Sequence, residues 1–196
     1  MNEPAVAAII LAAGASTRMG ALKQLLPYRG RPLLIHAVET ALAGGCQTAV
    51  VVLGCQADAL RHQLHGLPVH VAENSSWAEG LGTSISRGVE AADSLPDAIE
   101  AVLLMLCDQP LIMPDLLHCM IAAYCEGKRP IIACEYANTM GPPALFARRY
   151  FSDLKALRGT KGAKHLLESH RDEVGLISCP AAQTDVDTPS DYAGLR

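Results

Sequence analysis

Aromatic side chains make up only 4% of the 196 residues, and there is a single tryptophan, Trp77. So small an aromatic supply disfavours a platform that stacks single-stranded bases. Formal net charge is −4 with no block of like charge, which argues against a general nucleic-acid or membrane-surface binder while leaving room for a small anion held locally. No segment approaches the roughly 18–20 apolar residues that cross a bilayer. The start, "MNEPAVAAIILAAG", carries an acid where a secretion signal would carry basic charge, so the expected location is the cytoplasm. The seven cysteines, at positions 46, 55, 107, 119, 125, 134 and 179, form no C-x-x-C pair and are odd in number. A reduced set of mostly buried thiols is expected, in place of a zinc or disulfide framework. There is no G-x-S-x-G elbow and no H-E-x-x-H helix, so serine-hydrolase and zincin chemistry lack support. His62, His65 and His70 have no metal-site spacing and read as surface or strand-edge residues.

Half of the residues are hydrophobic, enough for a substantial core in one domain spanning residues 1–196. Continuous apolar runs alternate with segments of helical spacing. Strands are expected at Val6–Leu11, Thr48–Gly54, Leu67–Ala72, Ala101–Asp108 and Arg129–Tyr136, and helices at Pro32–Leu42, Gln56–Leu64, Thr83–Ala92 and Pro114–Cys125. Unbroken apolar strands separated by helices imply a mostly parallel sheet covered on both faces, an α/β three-layer sandwich. From about Gly141 the pattern loosens into "GPPALF", a helix near Lys161–His170, "EVGLISC" and "TDVDTPSDY", which read as further strands and a closing helix. The first 110 residues or so then carry nucleotide binding, and the remainder completes the sheet and the acceptor side.

In such a sheet, ligands bind beyond the carboxyl ends of the strands, so the residues following each apolar run are the informative ones. "AAGASTRMG" follows the first run. Gly14 and Gly20 are separated by five residues and no Lys-Ser/Thr follows, so this is not a Walker P-loop; G-x-G-x-x-G is absent as well. Its small residues would still let backbone N–H groups approach a phosphate or a base edge, with Arg18 and Lys23 to neutralise a triphosphate. An ordinary strand-to-helix connection with two solvated bases would read the same way in isolation. Asp108 emerges directly after "VLLML" and suits Mg²⁺, which takes one or two carboxylates plus substrate phosphates; a turn or cap aspartate is the plainer alternative. Asp185 and Asp187 in "TDVDTP" would project to one face if extended, and either could join Asp108 in a carboxylate clamp. Asp187 could instead cap the helix that starts near Pro189. In "NSSWAEGLGTSI", Trp77 is either a lid over a ligand or a partly buried anchor.

Taken together, "LAAGASTRMGALKQLLP", "NSSWAEGLGTSI", "DQP", "GPPALF" and "DVDTPSDY" resemble the nucleotidyltransferases with a glycosyltransferase-A-like, Rossmann-type fold. Within these the chain is similar to the molybdenum-cofactor cytidylyltransferase group, relatives of the guanylyltransferase that makes molybdopterin guanine dinucleotide. The resemblance runs from Leu11 to Tyr192. It implies that Leu11, Ala12, Ala13 and Gly14 line base and ribose. Arg18, Met19, Gly20 and Lys23 follow on the phosphate side, and Asn74, Gly80, Gly82, Thr83 and Ser84 complete the nucleotide pocket. Arg18, Lys23 and Asp108 would be catalytic, and Asp108 with Asp187 would hold Mg²⁺. Gly141, Pro143, Gly159, Lys161 and Gly162 would face the pterin. Relatives often have an acid where "RGTKGAKHLL" has Thr160. L-A-A-G, in place of the guanylyl L-A-G-G, implies CTP over GTP, on the expectation that the Ala13 methyl narrows the base pocket. The implied substrates are thus CTP (or GTP) and molybdopterin or its Mo-loaded form, with transient contact to a molybdoenzyme or its chaperone. A sugar phosphate as acceptor, or a non-catalytic cofactor carrier, are the alternatives.

Overall fold

A computed structural model describes residues 4–195; the amino-terminal acid, Glu3, lies outside them. The first apolar run forms β1 (Val6–Leu11), buried along its whole length. A two-stranded ribbon, β2 (Pro27–Tyr28) and β3 (Arg31–Pro32), leads into α1 (Leu33–Ala43). Then follow β4 (Thr48–Leu53), α2 (Ala57–Gln63), β5 (Val69–Glu73), α3 (Leu81–Asp93), β6 (Ala101–Leu106) and α4 (Pro114–Cys125). The second half adds β7 (Ile131–Tyr136), β8 (Thr139–Ala147), α5 (Phe151–Lys155), α6 (Lys164–Ser169), β9 (Val174–Ser178) and α7 (Pro189–Ala193).

The strands form one seven-stranded sheet in the order β5-β4-β1-β6-β8-β7-β9. All neighbours are parallel except that β8 runs antiparallel to both β6 and β7. This is the mostly parallel three-layer architecture the sequence predicts, and the central antiparallel strand is what periodicity did not reveal. "GPPALF" lies inside β8, and its Pro142–Pro143 bond is cis. Alternate residues of each strand serve opposite faces. Ala8 and Ile10 pack with Leu34, Leu60, Leu117 and Met120 of α1, α2 and α4. Ile9 and Leu11 pack with Ile85, Val89 and Leu154 of α3 and α5. Because β5, β4, β1, β6, β7 and β9 all point one way, their carboxyl ends share one edge, and β8 begins there.

Three details differ from expectation. Helix α3 starts at Leu81, two residues before the predicted Thr83. The cap of α7 is Thr188, in a capping box with Asp191, so Asp187 is not the cap. Of the seven unpaired thiols, Cys46, Cys107, Cys134 and Cys179 are buried as expected, but Cys119 and Cys125 on α4 are exposed. Burial pushes the Cys46 thiol up to about 12 and raises those of Cys107 and Cys134 as well. His62, His65 and His70 are all exposed. Among the described residues no helix is long and apolar enough to cross a membrane.

Candidate active site

The loop after β1 is organised from beneath by Gln24, a side chain that is 1% exposed. Its Nε2 donates to the carbonyls of Ala12 (3.1 Å) and Gly14 (2.9 Å). The carbonyl between them, of Ala13, accepts from the N–H of Cys55 at 3.0 Å. In a planar trans peptide the carbonyl and the following N–H point opposite ways. The N–H groups of Ala13, Gly14 and Ala15 therefore face away from these partners. The space beside Gly14 is open, with no atom within 4 Å of where a side chain would begin. Ser16, at a left-handed φ of 54°, closes the loop: its hydroxyl donates to Gln24 Oε1 and accepts the N–H of Lys23, both at 3.2 Å. Ala13 and Ala15 thus direct their N–H groups away from Gln24, and Gly14 directs its own away from Cys55; backbone donors so turned out of a small-residue loop suit phosphate oxygens.

Lys23 is the centre of the charged cluster. Its ammonium contacts Asp108 and lies 3.0 Å from Asp187, and Arg18 reaches Asp187 at 2.8 Å. Lys23 and Asp108 are largely enclosed, with side chains 15% and 14% exposed, while Arg18 stands in solvent at 69%. Burial works against the Lys23 charge, but Asp108 and then Asp187 outweigh it and hold the ammonium above its ordinary range. Asp185 lies on the same side: burial, then the Asp108 charge, raises its carboxyl, with Asp187 adding to the effect. Of the two carboxylates left open by the sequence, Asp187 is the one that shares a cation with Asp108. That ammonium demonstrates that the two carboxylates accommodate a positive charge between them, and their oxygens are the hard donors that Mg²⁺ or Mn²⁺ takes together with phosphates. No cluster of three or more His, Cys, Asp or Glu that could hold a metal is found among the described residues, so phosphates and water would supply the remaining ligands.

Other predicted residues have internal duties. Asn74 is buried; its Nδ2 donates to the hydroxyls of Thr83 (2.9 Å) and Ser84 (3.0 Å), and its Oδ1 accepts the N–H of Ser76 at 3.0 Å. These bonds fasten the start of α3 to the end of β5. Gly80, at φ +126°, has no room for a side chain, since a Cβ there would come within 2.5 Å of Gly159 backbone. A Cβ on Gly82 would come within 2.7 Å of the Lys161 carbonyl. Gly82 N–H also donates to the Gly159 carbonyl at 2.9 Å. The predicted nucleotide loop and the predicted acceptor loop are thus one packed unit, with Gly162 beside Leu81. Gly141 lies directly under the Tyr136 ring and hydroxyl, and Pro143 is buried on the same strand. Met19 turns into a small cluster with Tyr28, Leu33 and Val186, and Gly20 sits at φ 72° in the turn that follows. Trp77 packs against the core as an anchor, its Cβ beside Gly54. The Ala13 methyl is packed inward as well: Ala13 is 6% exposed, and a Cβ on Gly54 would lie 2.8 Å from it. That inward placement does not match the expectation that the methyl narrows a base pocket.

Gln24 was missed from sequence. The available signal was a polar residue set among Leu22, Leu25 and Leu26, which burial must satisfy with hydrogen bonds.

Comparison with known proteins agrees with this geometry. The sequence profile of the MobA-like NTP transferase domain matches residues 8–174. The chain is 32% identical to the nicotine blue oxidoreductase of Paenarthrobacter nicotinovorans, over 94% of this chain and 93% of that protein. It is 28% identical to the purine catabolism protein PucB of Bacillus subtilis, over 100% of this chain and 98% of that protein. Among solved structures, Rv0371c of Mycobacterium tuberculosis superposes with a TM-score of 0.83 at 31% identity, covering 99% of this chain and 98% of that one. A structure of the same mycobacterial protein in complex with manganese superposes with a TM-score of 0.76.

Proposed function

The chain belongs to the MobA-like NTP transferase domain family and is a nucleotidyltransferase, and from that premise we propose that it joins CMP from CTP to the terminal phosphate of molybdopterin or its Mo-loaded form. An oxygen of the acceptor phosphate bonds to the α-phosphorus of CTP, and the bond from that phosphorus to the bridging oxygen breaks to release pyrophosphate. The observation that carries this reading is the gathering of Arg18, Lys23, Asp108 and Asp187 at one sheet edge, beside the small-residue loop that Gln24 holds in place.

Transfer of this kind asks the protein for position and charge neutralisation more than for covalent chemistry. The N–H groups of residues 13–15 fix the nucleotide against β1. Arg18 and Lys23 hold the β and γ phosphates and stabilise the departing pyrophosphate; Arg18 acts as a fork and Lys23 as a point charge. Asp108 and Asp187 would hold the divalent cation, Mg²⁺ by preference, which supplies Lewis-acid polarisation and charge neutralisation at the reacting phosphate when bound. On nucleotide binding Lys23 would exchange its carboxylate contacts for the phosphates, leaving Asp108 and Asp187 open to a cation. The Gly141–Pro143 strand start and the Gly159–Gly162 loop form the acceptor side, and a cytoplasmic location fits the unpaired thiols.

The choice of CTP rests on the L-A-A-G loop. The deciding experiment measures pyrophosphate release with CTP, GTP, ATP and UTP, each with molybdopterin and with sugar 1-phosphates as acceptor. Release with CTP and molybdopterin alone supports the proposal. Preference for GTP or for a sugar phosphate overturns the substrate assignment, and tight nucleotide binding with no pyrophosphate overturns the reaction.

A further inference from the structure

Asp108 and Asp187 reach the site by unrelated routes. Asp108 leaves β6, whereas Asp187 ends a stretch, residues 184–187, that belongs to no helix or strand. Nothing in the sheet pairing sets the separation of the two carboxylates, and their mutual repulsion, together with Asp185 on the same stretch, pushes them apart. Two bonds tie that stretch to the exit of β6. The N–H of Val186 donates to the Asp108 carbonyl at 2.9 Å, and the Gln109 Nε2 donates to the Ala182 carbonyl at 2.8 Å.

Gln109 is 5% exposed, and its other amide atom, Oε1, is buried with no hydrogen-bond partner among the described residues. A buried acceptor without a partner costs free energy. A methionine would fill much the same space and remove that cost, but it would leave the Ala182 carbonyl without its donor, so one orphaned acceptor replaces another and stability gives glutamine no clear advantage at this position. What the amide provides is the tether to Ala182, five residues before Asp187. We propose that Gln109 is a positioning residue that sets the spacing of Asp108 and Asp187 for a divalent cation. The proposal rests on the reading of those two carboxylates as the metal-holding pair.

The test is Mn²⁺ titration of the protein bound to α,β-methylene CTP, followed by the paramagnetic resonance of free Mn²⁺. Wild type, Q109M, D187N and the double variant are compared, with thermal unfolding recorded for each. Q109M is expected to keep its unfolding midpoint while its Mn²⁺ affinity falls by about tenfold, the low end of what loss of a ligand-orienting partner costs. Because Gln109 acts through Asp187, the double variant is expected to bind no more weakly than D187N alone. Costs that add in the double variant, or an unchanged affinity in Q109M beside a weakened D187N, overturn this proposal alone. An unchanged affinity in D187N overturns the metal reading and this proposal with it. Should Q109M not fold, Q109N carries the same expectation, since its amide is one methylene too short to reach Ala182.

Discussion

Two ion clusters in this molecule look alike on paper and differ in what holds them. At the sheet edge, Lys23 and Arg18 serve Asp108 and Asp187, all four on loops or the single turn after β1. On one flank of the sheet, Asp93 at the end of α3 receives both Lys155, at the end of α5, and Arg148, which follows β8. Arg148 there also donates to the Ile99 carbonyl at 2.6 Å. The flank cluster has one acid shared by two bases and fastens elements already packed through Val89 and Leu154. The edge cluster has two acids sharing one enclosed ammonium, with Asp185 close by. Charges in the first are satisfied by the fold. Under the proposed function, those in the second are satisfied only provisionally, with a triphosphate competing for the bases and a metal for the acids.

The largest effect expected from this difference is in D108N. Turnover should drop roughly 10²–10³-fold, the scale seen when one stabilising group for developing charge is removed, with the unfolding midpoint little changed. Near-normal turnover would remove Asp108 from the site. K23M should split two readouts in opposite directions. Turnover falls because the phosphates lose their point charge. Mn²⁺ binding without nucleotide should tighten, by about tenfold or about 1.4 kcal/mol, because no ammonium competes for the carboxylates. Unchanged metal binding in K23M would mean that the edge cluster is as settled as the flank one.

The edge cluster was the more legible of the two in the sequence. Asp108 follows an apolar run and Arg18 and Lys23 are the only charges around a small-residue loop, positions that the carboxyl-edge rule for parallel sheets converts into predictions, while Asp187 stands out through its pairing with Asp185 and the family resemblance. Gln24 and Gln109 carry no such mark, since a buried amide is recognised by its partners, and those lie in other segments. Antiparallel β8 was hidden for a related reason: its pairing with β6 and β7 is non-local, and a glycine and two prolines interrupt its apolar pattern. Asp187 as a helix cap was a fair local inference. Thr188 takes the cap because its hydroxyl accepts the Asp191 N–H while the Asp191 carboxylate accepts its own N–H.

Gln24 gives a prediction of intermediate size. Q24L keeps the bulk but frees the carbonyls of Ala12 and Gly14; the buried Ala12 acceptor loses its donor at a cost of about 1–3 kcal/mol, while the exposed Gly14 carbonyl can turn to solvent. The unfolding midpoint should fall, and KM for the nucleotide should rise by more than kcat falls, because the backbone donors lose their fixed orientation. A loss confined to stability, with KM intact, would mean that the loop holds its shape without the amide and that the edge cluster needs no scaffold of its own.

The smallest effect belongs to the flank cluster and lies in its pH dependence. The Lys155 ammonium, followed by Arg148, holds the Asp93 carboxyl below its ordinary value of 3.8. A carboxylate whose folded-state value is depressed contributes stability that is present above its unfolded value and lost as pH falls through the folded one. D93N should therefore unfold slightly earlier than wild type at pH 7, and the two should converge once the pH drops below the folded-state value. Asp93 and Lys155 are half-buried and Arg148 is exposed, all three at the protein surface, so the gap at pH 7 stays small and salt narrows it further. Turnover at pH 7 should be unchanged throughout. If D93N lowered turnover as well, charge on the flank would be coupled to the site through α3, whose first turn is fastened to β5 by Asn74, and the two clusters would be one system.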